Sequence, residues 1–263
     1  MTNDHWTGAE EYEAYIGRWS RPVAAAFLDW LSIPPARRWI DVGCGTGALT
    51  GAILERTDPS CVVGLDPSAD FVDLARKRVV DPRARFEVAF ADDLPLETGS
   101  ADVIVGGLVL NFIPDLAAAL AEMRRVGRAG APIAGYLWDL AGRMDIIRTF
   151  WDAAVAIDPA AAEADEGARF PLCAPDPLRE AFESAGLGDV AVRSIDVPTV
   201  LRDFDDYWTP FLGGVGPAPA YLVGLDEAHR MRIRERLRTT LPTGLDGRIQ
   251  LMSRAWAVRA RNG

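Results

Sequence analysis

The residues best placed to do chemistry are Asp41-Val42-Gly43-Cys44-Gly45-Thr46-Gly47 and, about twenty positions on, Asp66. Glycines at alternate positions let a backbone turn tightly and approach a ligand that a Cβ atom would hold off. A carboxylate closing the next strand suits the two hydroxyls of a ribose. No Gly-Lys-Ser/Thr follows the loop, so a phosphate loop of that type is excluded. Gly43, Gly45 and Ala48 do satisfy the GxGxxA dinucleotide pattern, with Asp66 at a fitting distance, and that alternative stays open. Asp41 tilts the choice. A buried carboxylate there needs a donor; it would repel a pyrophosphate but accept the ammonium and sulfonium of S-adenosylmethionine.

Other reactive side chains are few. The histidines are His5 and His229, which rules out a histidine-rich metal site, and no metal is expected. Both read as surface residues. Lys77 is the single lysine among 28 basic residues, which removes most lysine chemistry. Cys44, Cys61 and Cys173 are widely spaced, as in a reduced chain, and Cys44 has no nearby histidine to activate it. With 38 acidic residues the net charge is −10, which opposes a nucleic-acid partner. The longest apolar run, 103–110, is too short for a bilayer. A cytoplasmic protein with no membrane partner is expected.

These residues need a frame that holds them, and strand–helix alternation supplies it. Strands are expected at 39–42, 61–65, 86–90, 102–105 and 132–138, with helices at 48–56, after Ser68 and at 116–126. That order means a parallel sheet covered by helices on both faces. Upstream, Tyr12, Tyr15, Ile16 and Trp19 form one helical stripe, and Ser20-Arg21-Pro22 reads as a helix start. Downstream, helices are expected at 144–155, 177–185 and 226–238, and strands at 189–197 and 250–261. The organisation expected is an arm at 1–34, a ligand-binding core at 35–140 and the rest of the sheet at 141–263, in one domain. Residues 143–174 and 203–240 interrupt the alternation, and a helical cover is expected there.

The segments WIDVGCGTG (39–47), GLDPS (64–68), DDLPL (92–96), ADVIV (101–105) and NFIPDLAAALAEMRRVGRAG (111–130) together resemble class I S-adenosylmethionine-dependent methyltransferases. The similarity is closest to the type 11 methyltransferase-domain group, which includes quinone-biosynthesis-like enzymes. It covers about residues 35–140. The resemblance implies an α/β fold with a doubly wound, seven-stranded, mostly parallel sheet whose last strand is antiparallel. It implies that Gly43, Gly45 and Gly47 line the methionine portion of S-adenosylmethionine, with Asp41 near its amine. Asp66 would take the ribose hydroxyls, Pro67 and Ser68 would lie beside the adenine, and Leu108 would also touch the cofactor. Where the family often has an acidic residue, this chain has Phe90. Phe90 could pack on the adenine ring instead, with Ala91 and Asp92 offering polar contacts.

The expected reaction is methyl transfer to a small-molecule acceptor by in-line displacement. Asp139 is the candidate base and Asn111 the candidate orienting group, while Tyr15, Trp19, Trp138 and Trp208 are the candidate acceptor contacts. Tyr207, Trp208 and Phe211 also have the spacing of core residues. Two alternatives remain. An NAD-dependent oxidoreductase would want a Tyr-x-x-x-Lys or a placed histidine, and neither occurs. A catalytically inactive cofactor-binding module would bind without transferring methyl.

Overall fold

The computed structural model describes residues 13–263. His5 and Tyr12 lie outside the described residues. Seven strands form one sheet in the order β3-β2-β1-β4-β5-β7-β6. They are β1 (Arg38–Val42), β2 (Cys61–Asp66), β3 (Ala84–Val88), β4 (Val103–Gly107), β5 (Pro132–Trp138), β6 (Gly188–Leu201) and β7 (Ile249–Arg261). The first five pair in parallel. Asn262 donates its N–H to the Ala131 carbonyl, while Asp139 donates to that of Arg254. As one partner's number rises the other's falls, so β7 runs antiparallel to β5. The doubly wound mixed sheet expected of the sequence is the one found.

After β1 the chain winds outward to β2 and β3; from β4 it winds the other way. The strand order therefore reverses between β1 and β4, which pair through Asp41 and Val105. In open α/β sheets a ligand crevice lies at the carboxyl ends of strands at such a point. Asp41 stands at that end.

The local departures have physical causes. The third strand ends at Val88 rather than Phe90, because β2 offers its last partner, Asp66, to Val88. Past it Phe90 lies at the surface, 64% exposed. Phe86 is buried opposite Gly64, where its ring fills the space a side chain on Gly64 would need. The fourth strand begins at Val103 because Asp102 is engaged elsewhere, accepting from the Arg38 N–H and pairing with the guanidinium groups of Arg38 and Arg128. The expected helix start at Ser20–Pro22 is displaced upstream. A π turn at Glu13–Gly17 runs into a helix at Arg18–Leu31, with Pro22 inside it. A proline within a helical run is tolerated where the ladder is already irregular, and the π turn supplies that irregularity.

The chain divides into two compact units. The larger comprises Ser20–Leu137, Leu172–Ile195 and Ala255–Gly263. In it, Phe27 packs on Tyr136 with ring centroids 4.8 Å apart. The smaller unit comprises residues through Trp19 together with Trp138–Pro171 and Asp196–Arg254. The stretches expected to be helical insertions are helical here, at Asp145–Ile157, Glu166–Arg169, Phe204–Trp208, Pro217–Gly224 and Glu227–Thr240. Their core is aromatic. Phe211 stacks on Phe150 at 4.7 Å and takes the edge of Tyr15 at 5.0 Å. The buried Tyr207 hydroxyl donates to the Ile146 carbonyl at 3.0 Å, so Tyr207 and Phe211 belong to the core. No described helix is long and apolar enough to cross a membrane.

Candidate functional site

Asp41, next to last in β1, has no exposure at all. The helix Ala48–Arg56 carries Thr50, also fully buried, whose hydroxyl donates to Asp41 Oδ2 at 2.7 Å. The other oxygen, Oδ1, is buried without any hydrogen-bond partner. Burial pushes the Asp41 carboxyl up to about 7; the Thr50 hydrogen bond opposes the rise and the neighbouring Asp66 adds to it. A buried carboxylate oxygen without a donor suits a cationic donor from a ligand and disfavours a phosphate. The residues present thus fit the ammonium end of S-adenosylmethionine.

The glycines of the loop divide by environment. Gly43, Gly45 and Gly47 all have positive φ, at 68°, 51° and 84°. A side chain on Gly43 would run into Val109, and one on Gly47 would meet Val79 at 2.9 Å. These two are needed for packing. Around Gly45 the space is open, with nothing within 4 Å of where a side chain would begin. Gly45→Val therefore folds, at a strain on the order of 1–2 kcal/mol, while its side chain enters the space a ligand would take. We expect at least about a tenfold loss of S-adenosylhomocysteine affinity with an unchanged circular-dichroism spectrum; a folded variant binding like the parent removes the loop from the site.

Asp66 ends β2 within reach of the same loop. Its Oδ2 accepts from the Gly45 N–H and its Oδ1 from the Ser68 N–H, both at 2.9 Å. Each oxygen keeps a further lone pair, so the carboxylate can still take two hydroxyls. Burial raises its pKa, and the two N–H donors pull it back. Ser68 caps the helix Ala69–Arg78, accepting from the Phe71 N–H, and Pro67 is exposed. The Asp66 carbonyl accepts from the Ala89 N–H, which brings the segment carrying Phe90, Ala91 and Asp92 alongside. Cys44 is buried, its thiol pKa raised chiefly by burial and then by Asp41 and Asp66, so it is no nucleophile.

Past β4, Leu108 adopts φ 59° and donates its N–H to the Tyr136 carbonyl at 2.7 Å. A non-glycine residue held in that region costs about 1–3 kcal/mol and persists where its surroundings impose it. Val109 follows and packs against Gly43. Asn111 stands half-buried in the short 3-10 turn Leu110–Phe112.

The remaining expected site residues lie in the smaller unit. Asp139 is 7% exposed, and its oxygens accept from the N–H groups of Gly142 (3.1 Å) and Arg143 (3.0 Å). Its visible work is to close the turn after β5. Tyr15, Trp138 and Trp208 are buried. The Tyr15 hydroxyl and the Trp19 and Trp138 indole N–H groups are buried without hydrogen-bond partners. Burial, with Glu166 and Tyr207 nearby, raises the Tyr15 pKa well above the ordinary phenol value, which disqualifies it as a base. His229 is at the surface, paired with Asp226, as its sequence context suggests.

Sequence reasoning missed Thr50 and, though it named Leu108, the strain in the Leu108 backbone. The spacing of nine between Asp41 and Thr50, across a glycine turn and a first helical turn, is a usable signal for the former. The backbone of Leu108 has none, since leucine carries no preference for positive φ.

The Asp41 titration predicts a pH dependence. If the ammonium of the ligand needs the carboxylate form, affinity is full above pH 7 and falls as pH drops through it. Between pH 8 and pH 6 S-adenosylhomocysteine should weaken about tenfold. A flat calorimetric profile over that window rules out Asp41 as the titrating contact.

Comparison with known proteins agrees with this geometry. Residues 40–134 match the family model of the type 11 methyltransferase domain. An uncharacterized methyltransferase of Mycobacterium tuberculosis is 34% identical over 123 residues, 47% of each chain. Demethylmenaquinone methyltransferase of Roseiflexus sp. is 34% identical over 105 residues, 40% of this chain and 44% of that one. The chain thus spans less than half the length of these curated relatives. In fold, it resembles phosphoethanolamine N-methyltransferase 2 of Haemonchus contortus, solved with S-adenosylhomocysteine. The TM-score is 0.61 at 15% identity, over 99% of this chain and 58% of that one. The segment 40–134 thus matches the type 11 methyltransferase domain, and the fold around it is shared with a solved S-adenosylmethionine-dependent methyltransferase.

Proposed function

We propose that the chain transfers a methyl group from S-adenosylmethionine to a small-molecule acceptor by in-line displacement. The observation that carries this reading is the pairing of an unpartnered, fully buried Asp41 oxygen with the open space over Gly45. When bound there, the cofactor supplies an electrophilic sulfonium methyl to an acceptor O, N, C or S atom. Asp41 holds the ammonium, Asp66 the ribose hydroxyls, and Phe90, exposed beside them, the adenine face. Holding two reactants in line is worth roughly 7–11 kcal/mol of barrier, so a positioning site needs no strong acid or base. Asp139, with both oxygens occupied by its own turn, is a poor base unless that turn opens, and Asn111 remains the candidate to orient the acceptor.

The acceptor contacts we assign are Tyr15, Trp19, Trp138 and Trp208. What supports them is the set of buried, unpaired donors on the first three, since a buried donor left unmade costs about 1–3 kcal/mol. The Roseiflexus relative is named for a small-molecule substrate, which favours that acceptor class. The test is transfer of labelled methyl from S-adenosylmethionine to a panel of small phenols, quinols, carboxylic acids and amines. Turnover on one class supports the reading. Labelling of protein substrates alone overturns the small-molecule acceptor, and tight cofactor binding with no transfer to any acceptor supports a binding module instead.

A further inference from the structure

Thr50 has no place in the ligand contacts assigned above, yet among the described residues it is the one side chain hydrogen-bonded to the Asp41 carboxylate. It lies in the first turn of the helix Ala48–Arg56, fully buried, and donates to Asp41 Oδ2 at 2.7 Å. We propose that Thr50 is a positioning residue for cofactor binding: by engaging one oxygen of Asp41 it leaves the other oriented and negatively charged for the cofactor's ammonium. This rests on the reading of the loop as an S-adenosylmethionine site.

Competing influences act on this one buried group. Asp41 sits among Trp39–Val42 of β1, with β2 on one side and β4 on the other. From β2 it faces the charge of Asp66, which disfavours a second negative charge; from the loop it meets Cys44, whose buried thiol stays neutral. Strand β4, Val103–Gly107, brings no titratable group. Burial also opposes the charge. Against these stand the Thr50 hydroxyl and, to a smaller extent, the Thr50 backbone N–H, both hydrogen-bonding to the charged form. The hydroxyl's bond also fixes the carboxylate plane, because one oxygen is held while Oδ1 has no protein partner to draw it elsewhere.

The experiment is calorimetric titration of the full chain with S-adenosylhomocysteine from pH 5.5 to 9, for the parent, Thr50→Val and Thr50→Ser. Thr50→Val keeps the volume and loses the donor. Its binding midpoint should move up by about one pH unit, giving a loss of about fivefold at pH 7 that approaches tenfold near pH 6 and closes by pH 9. Thr50→Ser should restore the parent profile. A readout independent of the ligand is the Asp41 carboxyl-carbon chemical shift in the unliganded chain, whose titration should move the same way. Should Thr50→Val fail to fold, Thr50→Cys, with its much weaker donor, takes its place in both measurements. A loss equal at every pH, or an unchanged midpoint, overturns the role of Thr50 while leaving the site reading intact. A parent that binds no S-adenosylhomocysteine overturns the site reading and the positioning role with it.

Discussion

Replacing Asp66 by alanine should weaken S-adenosylhomocysteine binding by about 30- to 1,000-fold, ~2–4 kcal/mol. Two effects combine. The first is loss of a charged acceptor for two ribose hydroxyls, each hydrogen bond to a charged group being worth about 1.5–3 kcal/mol. The second comes from the protein itself, since the same carboxylate accepts from the Gly45 and Ser68 N–H groups at 2.9 Å. Without it Gly45 loses its tie to β2, although the Gly43 and Cys44 N–H groups keep theirs to the Leu65 carbonyl, and the unliganded loop is held less firmly. Asp66→Asn separates the two, because its carbonyl oxygen keeps one of those ties while the charge is gone; it should fall between parent and alanine. Calorimetry decides, and an alanine variant binding like the parent leaves the ribose without its assigned partner.

Asp41→Asn should pull stability and binding in opposite directions. In the folded chain the Asp41 carboxyl is raised from 3.8 to about 7, chiefly by burial. The unfolded chain gives up that proton near pH 4 and the folded chain near 7, so the native state loses stability as pH rises through that interval. The full penalty is present above pH 7. Asparagine has the same shape and no charge. At pH 8 the unliganded variant should be more stable by up to about 4 kcal/mol, less what the amide loses in its own unpaired N–H. Its affinity for S-adenosylhomocysteine should fall by about 10- to 100-fold, with no dependence on pH between 6 and 8. Denaturant unfolding of parent and variant at pH 8 checks the first half, and a variant less stable than the parent contradicts the burial argument.

The contrast between these two carboxylates shows what a sequence discloses. Both were legible as strand-end acids flanking a glycine loop, because strand, turn and helix each leave a local pattern. The helix Leu116–Val126 and strand Pro132–Trp138 were legible to the residue, the helix because Asp115 caps its start and Gly127 follows its end. Strand β3 was misplaced by two residues because Val88 and Phe90 are apolar yet exposed at a sheet edge, where pattern and burial part company. The helix start at Pro22 was misplaced because a π turn upstream is a property of the backbone ladder and has no residue signature. Within the site, the three glycines look alike in sequence. Only packing tells Gly43 and Gly47, closed off by Val109 and Val79, from Gly45, which faces open space. Asp139 invited a catalytic reading from its place at a strand end, but the N–H groups of Gly142 and Arg143, supplied by the turn it closes, occupy both its oxygens.

The central claim is that this loop and its two carboxylates hold S-adenosylmethionine and not a dinucleotide. Titration calorimetry of the full chain at pH 8 with S-adenosylhomocysteine, and in parallel with NAD, tests it most directly. The account predicts saturable one-to-one binding of S-adenosylhomocysteine in the micromolar range, lost in Asp66→Ala, and no heat of binding from NAD. Saturable binding of NAD with none of S-adenosylhomocysteine would contradict it.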